Sequence, residues 1–223
     1  VRRVYRYRYQ PALPLLVMGG AALLLTAAML TFFYLEPGPP SLAQELLEQA
    51  LAGLEEADRE YDLIIEEKGS GYCLQFQGKW EGGSRLTGLL PEYELEAYLK
   101  GETLFLRKSG SEDWKTAEAL KLQGLESFLV DPVRLLKKEE ERFSQALLGE
   151  EVDIGGTLCQ TAYLKLEEKE LLRMLFPEVS LEAVEEATLG VALATPAMTF
   201  KQLRIQLLFS GGGGKLERVY YFN

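Results

Sequence analysis

Apolar and polar positions change period several times along this chain, and each change marks an element. Ala12 to Leu35 shows no period: 24 consecutive positions carry no charge and are mostly Leu, Ala, Met, Val and Phe. At ~1.5 Å per residue a helix of that length reaches ~36 Å, more than the ~30 Å core of a bilayer. Segment 12–35 is therefore expected to be a transmembrane helix. Pro11 and Pro14 stand in its first turn, where a missing N–H costs little. Phe32, Phe33 and Tyr34 stand where an aromatic belt is expected. Glu36-Pro37-Gly38-Pro39-Pro40 is a stiff, extended spacer. The period then becomes helical. Ser41 and Gln44 form a capping box, and Leu42, Leu46, Leu47, Ala50, Leu51 and Leu54 predict an amphipathic helix over 42–58.

From Tyr61 the period is two. Tyr61, Leu63 and Ile65 alternate with Asp62 and Glu66, and Tyr72, Leu74, Phe76 and Trp80 alternate with Cys73, Gln75, Gln77 and Lys79. Tyr93, Leu95, Ala97 and Leu99 alternate with Glu94, Glu96 and Tyr98, and Leu104 and Leu106 extend the series. Glycine, serine and proline clusters punctuate it, so an antiparallel meander with one buried face is expected. The middle reads as helical. A short apolar run covers 120–129, and Asp131-Pro132, an N-cap followed by Pro at the first helical position, opens a helix through Leu148. Strand character returns over 151–166. Short helices are expected at 168–176 and 181–187, on either side of Pro177. Leu203, Ile205, Leu207 and Phe209 then alternate with Arg204, Gln206 and Leu208, and Gly211–Gly214 turns the chain into a last strand over 215–222.

Charge fixes an orientation. The chain has 223 residues and a net charge of −10. Residues 1–10 hold Arg2, Arg3, Arg6 and Arg8 without an acid, so everything after them carries −14. The positive-inside rule then gives a cytosolic basic tail (1–11), an anchor (12–35), a linker (36–40) and an extracytoplasmic domain (41–223). A signal peptide cleaved near Thr26-Ala27-Ala28 and a buried core helix are the alternatives for the apolar run. Lipid attachment is disfavoured, because the two cysteines stand at 73 and 159, far from that run.

Composition closes several routes to catalysis. The chain has no histidine, which excludes Ser-His-Asp and Cys-His nucleophiles and imidazole metal sites; two cysteines cannot make a four-thiolate site. No metal and no cofactor is expected. The clustered acids Glu55, Glu56, Glu66, Glu67 and Glu139–Glu141 read as solvated faces rather than tuned acids, so no enzyme is expected. A domain at −14 repels phosphate, and nucleic acid is not an expected partner. The 137–142 charge run reads as a solvated helix face, with a docking patch as the alternative. The four glycines are a hairpin turn, since no GKS or GKT follows. Cys73 and Cys159 share the polar phase of their strands; a disulfide between them and two free thiols both stay open.

The order of elements resembles the LolA/LolB/LppX group of bacterial extracytoplasmic proteins. Three stretches carry the resemblance: Glu102-Thr103-Leu104-Phe105-Leu106-Arg107-Lys108, then Ser111-Glu112-Asp113-Trp114, then Asp131-Pro132 with Leu135-Leu136. The late strand, glycine turn and strand over 203–222 are also similar to the group's pattern. The likeness spans about 41–223. It implies an α+β fold, a curved antiparallel sheet (a half-barrel) wrapped around helices, with space between them for acyl chains. A bent sheet with a helical plug encloses a concave apolar site on physical grounds too.

The expected lining is Leu74, Phe76, Trp80, Leu95, Leu104, Leu106, Leu203, Ile205 and Leu207 from strands and Leu135, Leu136, Leu175 and Phe176 from helices. Ordinary core packing is the alternative for each of them. Two functions follow: a membrane-tethered domain that binds a lipid or lipoprotein acyl chain, or a scaffold with a filled core that docks an extracytoplasmic protein of the envelope or of sporulation.

Overall fold

The computed structural model describes residues 40–55, 61–69, 72–81, 85–101 and 103–222. The chain divides into two units, Val1–Pro40 and Ser41–Asn223. The expected anchor at 12–35 lies outside the described residues. Among the described residues no helix is long and apolar enough to cross a membrane.

The second unit is an open antiparallel sheet with short helices. Helix α1 (Leu42–Glu55) leads into β1 (Tyr61–Gly69), β2 (Tyr72–Trp80), β3 (Arg85–Leu90), β4 (Leu95–Lys100), β5 (Thr103–Lys108) and β6 (Lys115–Thr116). Helices α2 (Gly124–Phe128) and α3 (Pro132–Glu139) follow, then β7 (Leu147–Leu148), β8 (Val152–Ile154) and β9 (Thr157–Lys165). Helix α4 (Lys169–Leu175) precedes β10 (Val184–Ala194), β11 (Thr199–Phe209) and β12 (Lys215–Phe222). The strand order is β6-β5-β4-β3-β2-β1-β12-β11-β10-β9-β7, with β8 on β9. The first and last long strands meet, in a register that sets Leu63 against Phe222, Ile65 against Tyr220 and Glu67 against Arg218.

Eleven strands side by side would make a flat sheet roughly 48 Å wide at ~4.8 Å per strand. Helix α1, the longest described, spans only ~21 Å. Yet one apolar cluster joins α1 to residues from β1 through β12. Sheets of this size curl to bring such a face together. A close approach helps. Gly78 of β2 faces Gly88 of β3 beneath the Phe76 ring. A Cβ on Gly78 would stand 2.1 Å from the Thr87 carbonyl oxygen and 2.6 Å from the Phe76 ring, so no larger residue fits there.

Alternation delivers the inner face: Leu63 and Ile65; Leu74, Phe76 and Trp80; Leu104 and Leu106; Leu203, Ile205 and Leu207 are all buried in it. The buried stripe of α1 runs through Leu46, Leu47, Ala50, Leu51 and Leu54 and packs over β9, β10 and β11.

Several boundaries differ from the sequence reading. The helix opened by Asp131 ends at Glu139, tightens into a 3-10 turn over Glu140–Gln145, and gives way to β7. The strand expected over 151–166 is a hairpin, β8 and β9, turning through Gly155 and Gly156, both at positive φ. The helix expected at 181–187 is one 3-10 turn, Leu181–Ala183, followed by β10. Strand β10 is hard to see because both its faces are apolar. Ala187, Leu189, Val191 and Leu193 face the core, while Ala192 and Ala194 join Cys159, Val152 and Ile154 in a small cluster on the outer face.

Candidate functional site

Among the described residues the inner face of the sheet carries one buried charged pair. Glu67 follows Leu63 and Ile65 in phase on β1, and Arg218 precedes Tyr220 and Phe222 in phase on β12. The β1–β12 register sets the two side by side. Arg218 is 2% exposed and Glu67 8%. The Nε and Nη2 of Arg218 donate to Glu67 Oε2 at 2.6 and 2.5 Å. Its Nη1 donates to the Ser127 carbonyl at 2.5 Å, and Nη2 also donates to the Leu175 carbonyl at 3.0 Å. Leu175 ends α4, so its carbonyl has lost its intrahelical donor, and a cation is favourable there. The guanidinium lies over the Phe176 ring at 4.4 Å and near Phe128 at 5.5 Å.

This pair explains how α2 exists. A five-residue helix does not hold itself together in water. Leu125 and Phe128 bury its apolar side, and Arg218 holds its Ser127 carbonyl. Tyr220 adds a long hydrogen bond, its hydroxyl donating to the Phe128 carbonyl at 3.5 Å. Burial pushes the Tyr220 phenol up from its ordinary value, so it stays a donor. A single arginine thus ties β1, β12, α2 and α4 together.

Open space remains on both sides of α2. One cleft, about 370 Å³, is lined by Leu74, Leu122, Leu125, Phe128, Leu175 and Phe176, with Glu67 and Arg218 in its wall and Lys121 and Glu178 beside it. A second, about 340 Å³, holds Trp80, Leu99, Leu129, Val130 and Met174, with Asp131 and Arg134 among its polar groups. Ser127 and Pro177 line both. Each volume falls in the 300–1,000 Å³ range of small-molecule sites. Asp131 caps α3, its Oδ1 accepting from the Val133 N–H at 2.8 Å, and burial pushes its carboxyl up.

The structure separates the thirteen expected lining residues. Leu74, Leu175 and Phe176 reach the first cleft and Trp80 the second. Phe76, Leu104, Leu106, Leu135, Leu136, Leu203, Ile205 and Leu207 line neither and show at most 1% exposure; Leu95 is half-buried against the same cluster. A void with room for one water would register as exposed surface on its walls. The space over these eight is packed, and the two clefts that the expected lining residues reach lie beside α2.

The structure has one of the two open cysteine readings, and it corrects the reading of two acids. Cys73 is exposed and Cys159 buried, and both are free thiols. Their strands stand five places apart in the sheet, roughly 24 Å along a flat one, where a disulfide needs Cα atoms within ~7 Å. They do share the outer face, with Cys159 in the small cluster that includes Val152 and Ile154 of β8. Glu67 and Glu139 are not on solvated faces. Glu139, 1% exposed, ends α3 pointing inward and pairs with Arg142 at 2.9 Å. Burial pushes its carboxyl up, against the pull of Arg142. Lys137, Lys138, Glu140 and Glu141 do face water, with Lys137 paired to Glu55 at 2.7 Å, while Arg142 is half-buried. Among the described residues no acid or cysteine group is placed to hold a metal ion.

Sequence reading missed Arg218 and Glu67 as partners, although parity flags both: each has the phase of buried apolar neighbours.

No family model matches the chain, and no curated protein matches it. Solved structures do. The chain is similar to the lipoprotein LppX of Mycobacterium tuberculosis, with a TM-score of 0.49 at 10% identity over 81% of this chain and 94% of that one. It is similar to LprF of Mycobacterium bovis, with a TM-score of 0.49 at 12% identity over 82% and 93%. A LolA superfamily protein of Nitrosomonas europaea matches with a TM-score of 0.30 at 10% identity over 81% and 91%. These belong to the LolA/LppX-like fold group that the sequence resembles. At such identities and TM-scores the likeness says nothing of what this chain binds.

Proposed function

We propose that the Ser41–Asn223 unit is a non-enzymatic, extracytoplasmic binding module that holds a lipid acyl chain in the clefts beside α2, tethered to the membrane by segment 12–35. The supporting observation is the pair of apolar clefts that meet at Ser127 and Pro177, between the short helices and the inner face of the sheet. Apolar walls of this kind gain by exchanging water for hydrocarbon. Four of the five N–H donors of Arg218 are already bonded, to Glu67, Ser127 and Leu175, so the charged wall of the first cleft is largely satisfied before an acyl chain enters. The buried acids are committed to arginines rather than poised for proton transfer.

The test is native mass spectrometry of the Ser41–Asn223 unit purified without detergent, followed by organic extraction. A bound mass of lipid size is expected, lost on extraction and absent from Ser127→Trp, which fills the junction of the clefts. A clean apo mass, unchanged after incubation with a membrane lipid extract, overturns the reading.

One observation favours a second reading, a scaffold that docks a protein partner. The β7–β9 edge shows Leu147 at 57%, with Leu148 and Leu158 exposed beside the acids Glu150, Glu151 and Asp153. Together with the packed core, this suits an edge that meets an apolar, basic partner segment.

A further inference from the structure

The outer face of the sheet carries a groove that the acyl-chain reading does not use. It has a volume of about 310 Å³ and lies over β9, β10 and β11. Its floor is Gly190, set by register between Tyr163 of β9 and Arg204 of β11. Gly190 interrupts the apolar-rich strand β10, where a glycine costs roughly 0.5–1 kcal/mol against alanine. No close contact requires it. A Cβ there would meet its nearest neighbour, the Ala162 carbonyl oxygen, at 3.7 Å, an ordinary contact. What the missing side chain provides is the groove itself.

The walls are built. On one side the chain at Gly149 and Glu150 is clamped to β9: Gly149 N–H donates to the Thr161 carbonyl at 2.9 Å, and Thr161 Oγ1 donates to the Glu150 carbonyl at 2.6 Å. A Cβ on Gly149 would stand 2.3 Å from Thr161 Oγ1, so the clamp depends on that glycine. On the other side stand Gln202, Arg204 and Gln206. Gln202 is 5% exposed, and its Oε1 accepts from Arg204 Nη2 at 3.2 Å. Among the described residues the Tyr163 hydroxyl and the side chains of Thr188 and Gln206 make no hydrogen bond, and the buried Arg204 Nε lacks one as well.

The chemistry of this lining selects a ligand. Its charged side chains are Arg204 and Glu150, which balance, and Glu217 stands 3.8 Å from Arg204 Nε. An anion would find no excess positive charge. Gln206, Thr188 and Tyr163 supply groups that both donate and accept, while Thr161 Oγ1, already donating to Glu150, keeps its acceptor capacity and Gln202 its amide donors. The Tyr163 ring, 38% exposed, adds an apolar face beside them. Polar groups of both senses beside an aromatic ring match a neutral ring that carries hydroxyls on its rim and C–H bonds on its faces. We propose that this groove binds a neutral sugar unit of a glycan chain, on the face of the sheet opposite the acyl clefts.

The test is saturation-transfer NMR on the full chain in lipid nanodiscs, with chitotetraose, cellotetraose and maltotetraose as probes. Transfer to the ring protons of at least one probe is expected. Gly190→Val places two methyl groups in the groove on a strand that favours valine; it is expected to weaken that probe more than tenfold while leaving the thermal midpoint unchanged or raised. Gln206→Ala is expected to weaken it several-fold. No transfer from any of the three, or equal transfer in wild type and Gly190→Val, overturns the proposal. Retention of lipid by Gly190→Val is expected to match wild type, so the outer groove and the inner clefts stand or fall separately.

Discussion

Over β9 to β11 the inner face lies under one 14-residue helix whose every inward position is apolar. Over β1 to β5 the nearby helices α2 and α4 are five and seven residues long, held from below by an arginine. The first region is packed, with Leu46, Leu47, Leu203 and Ile205 fully buried. The second keeps two clefts. The inner faces of the strands are apolar in both, so the inner face of the sheet is not what differs. A long amphipathic helix fills a concave face by repeating its stripe every turn. Short helices cannot, and need a polar anchor to lie on the sheet at all. That anchor costs desolvation and is stable only while both charges and the carbonyls stay paired.

The largest effect should come from breaking the anchor. Arg218→Met leaves Glu67 buried and alone, an expected loss of about 3–5 kcal/mol in urea unfolding at pH 7. Pairing it with Glu67→Gln should recover much of that loss. A cost under about 1 kcal/mol for Arg218→Met would show that α2 and α4 sit on apolar contacts alone. Next comes a matched pair of truncations. Leu47→Ala in the packed half should cost about 2–5 kcal/mol. Leu122→Ala at the first cleft, where the side chain is already half in contact with open space, should cost about 1 kcal/mol. Equal costs would erase the distinction between the halves.

The smallest effect concerns Glu139. Its carboxyl is raised in the folded protein, chiefly by burial. The folded state therefore binds this proton more readily than the unfolded chain. The stability it contributes is fully present below the ordinary glutamate value, about 4.3, and is lost as pH rises through the raised folded value. Glu139→Gln removes this dependence. Relative to wild type, the variant should gain in thermal midpoint at pH 7 and lose that advantage as pH falls toward 4. A difference independent of pH would mean that Arg142 holds the carboxylate at its ordinary value.

Local chemistry made much of the fold legible. The α1 stripe, the Asp131 cap on α3, strands β1, β2, β4 and β5 and the last hairpin each rest on neighbours a few residues away, whereas β3 (Arg85–Leu90), with Gly88 and Thr87 in it, gave no alternation to read. Strand β10 did not show itself, because its outward residues Ala192 and Ala194 are apolar too, packed with Val152 and Ile154, and this hides its period. The cleft lining was half legible: an inward phase says that Leu106 and Leu175 both point to the core, but not that only Leu175 borders open space.

By itself the sequence determined caps, turns and, wherever one face is polar, the period and phase of the side chains, since these follow from backbone geometry over a few residues. Only the tertiary structure decided which strands meet. Pairing β1 with β12 brings residues 67 and 218 together across 151 positions and turns two solitary charges into an anchor. It also decided that Cys73 and Cys159 lie five strands apart and that Gly190 floors a groove. The reason is physical. Long-range register is set by the summed burial of whole faces, and no single residue in the chain carries that sum.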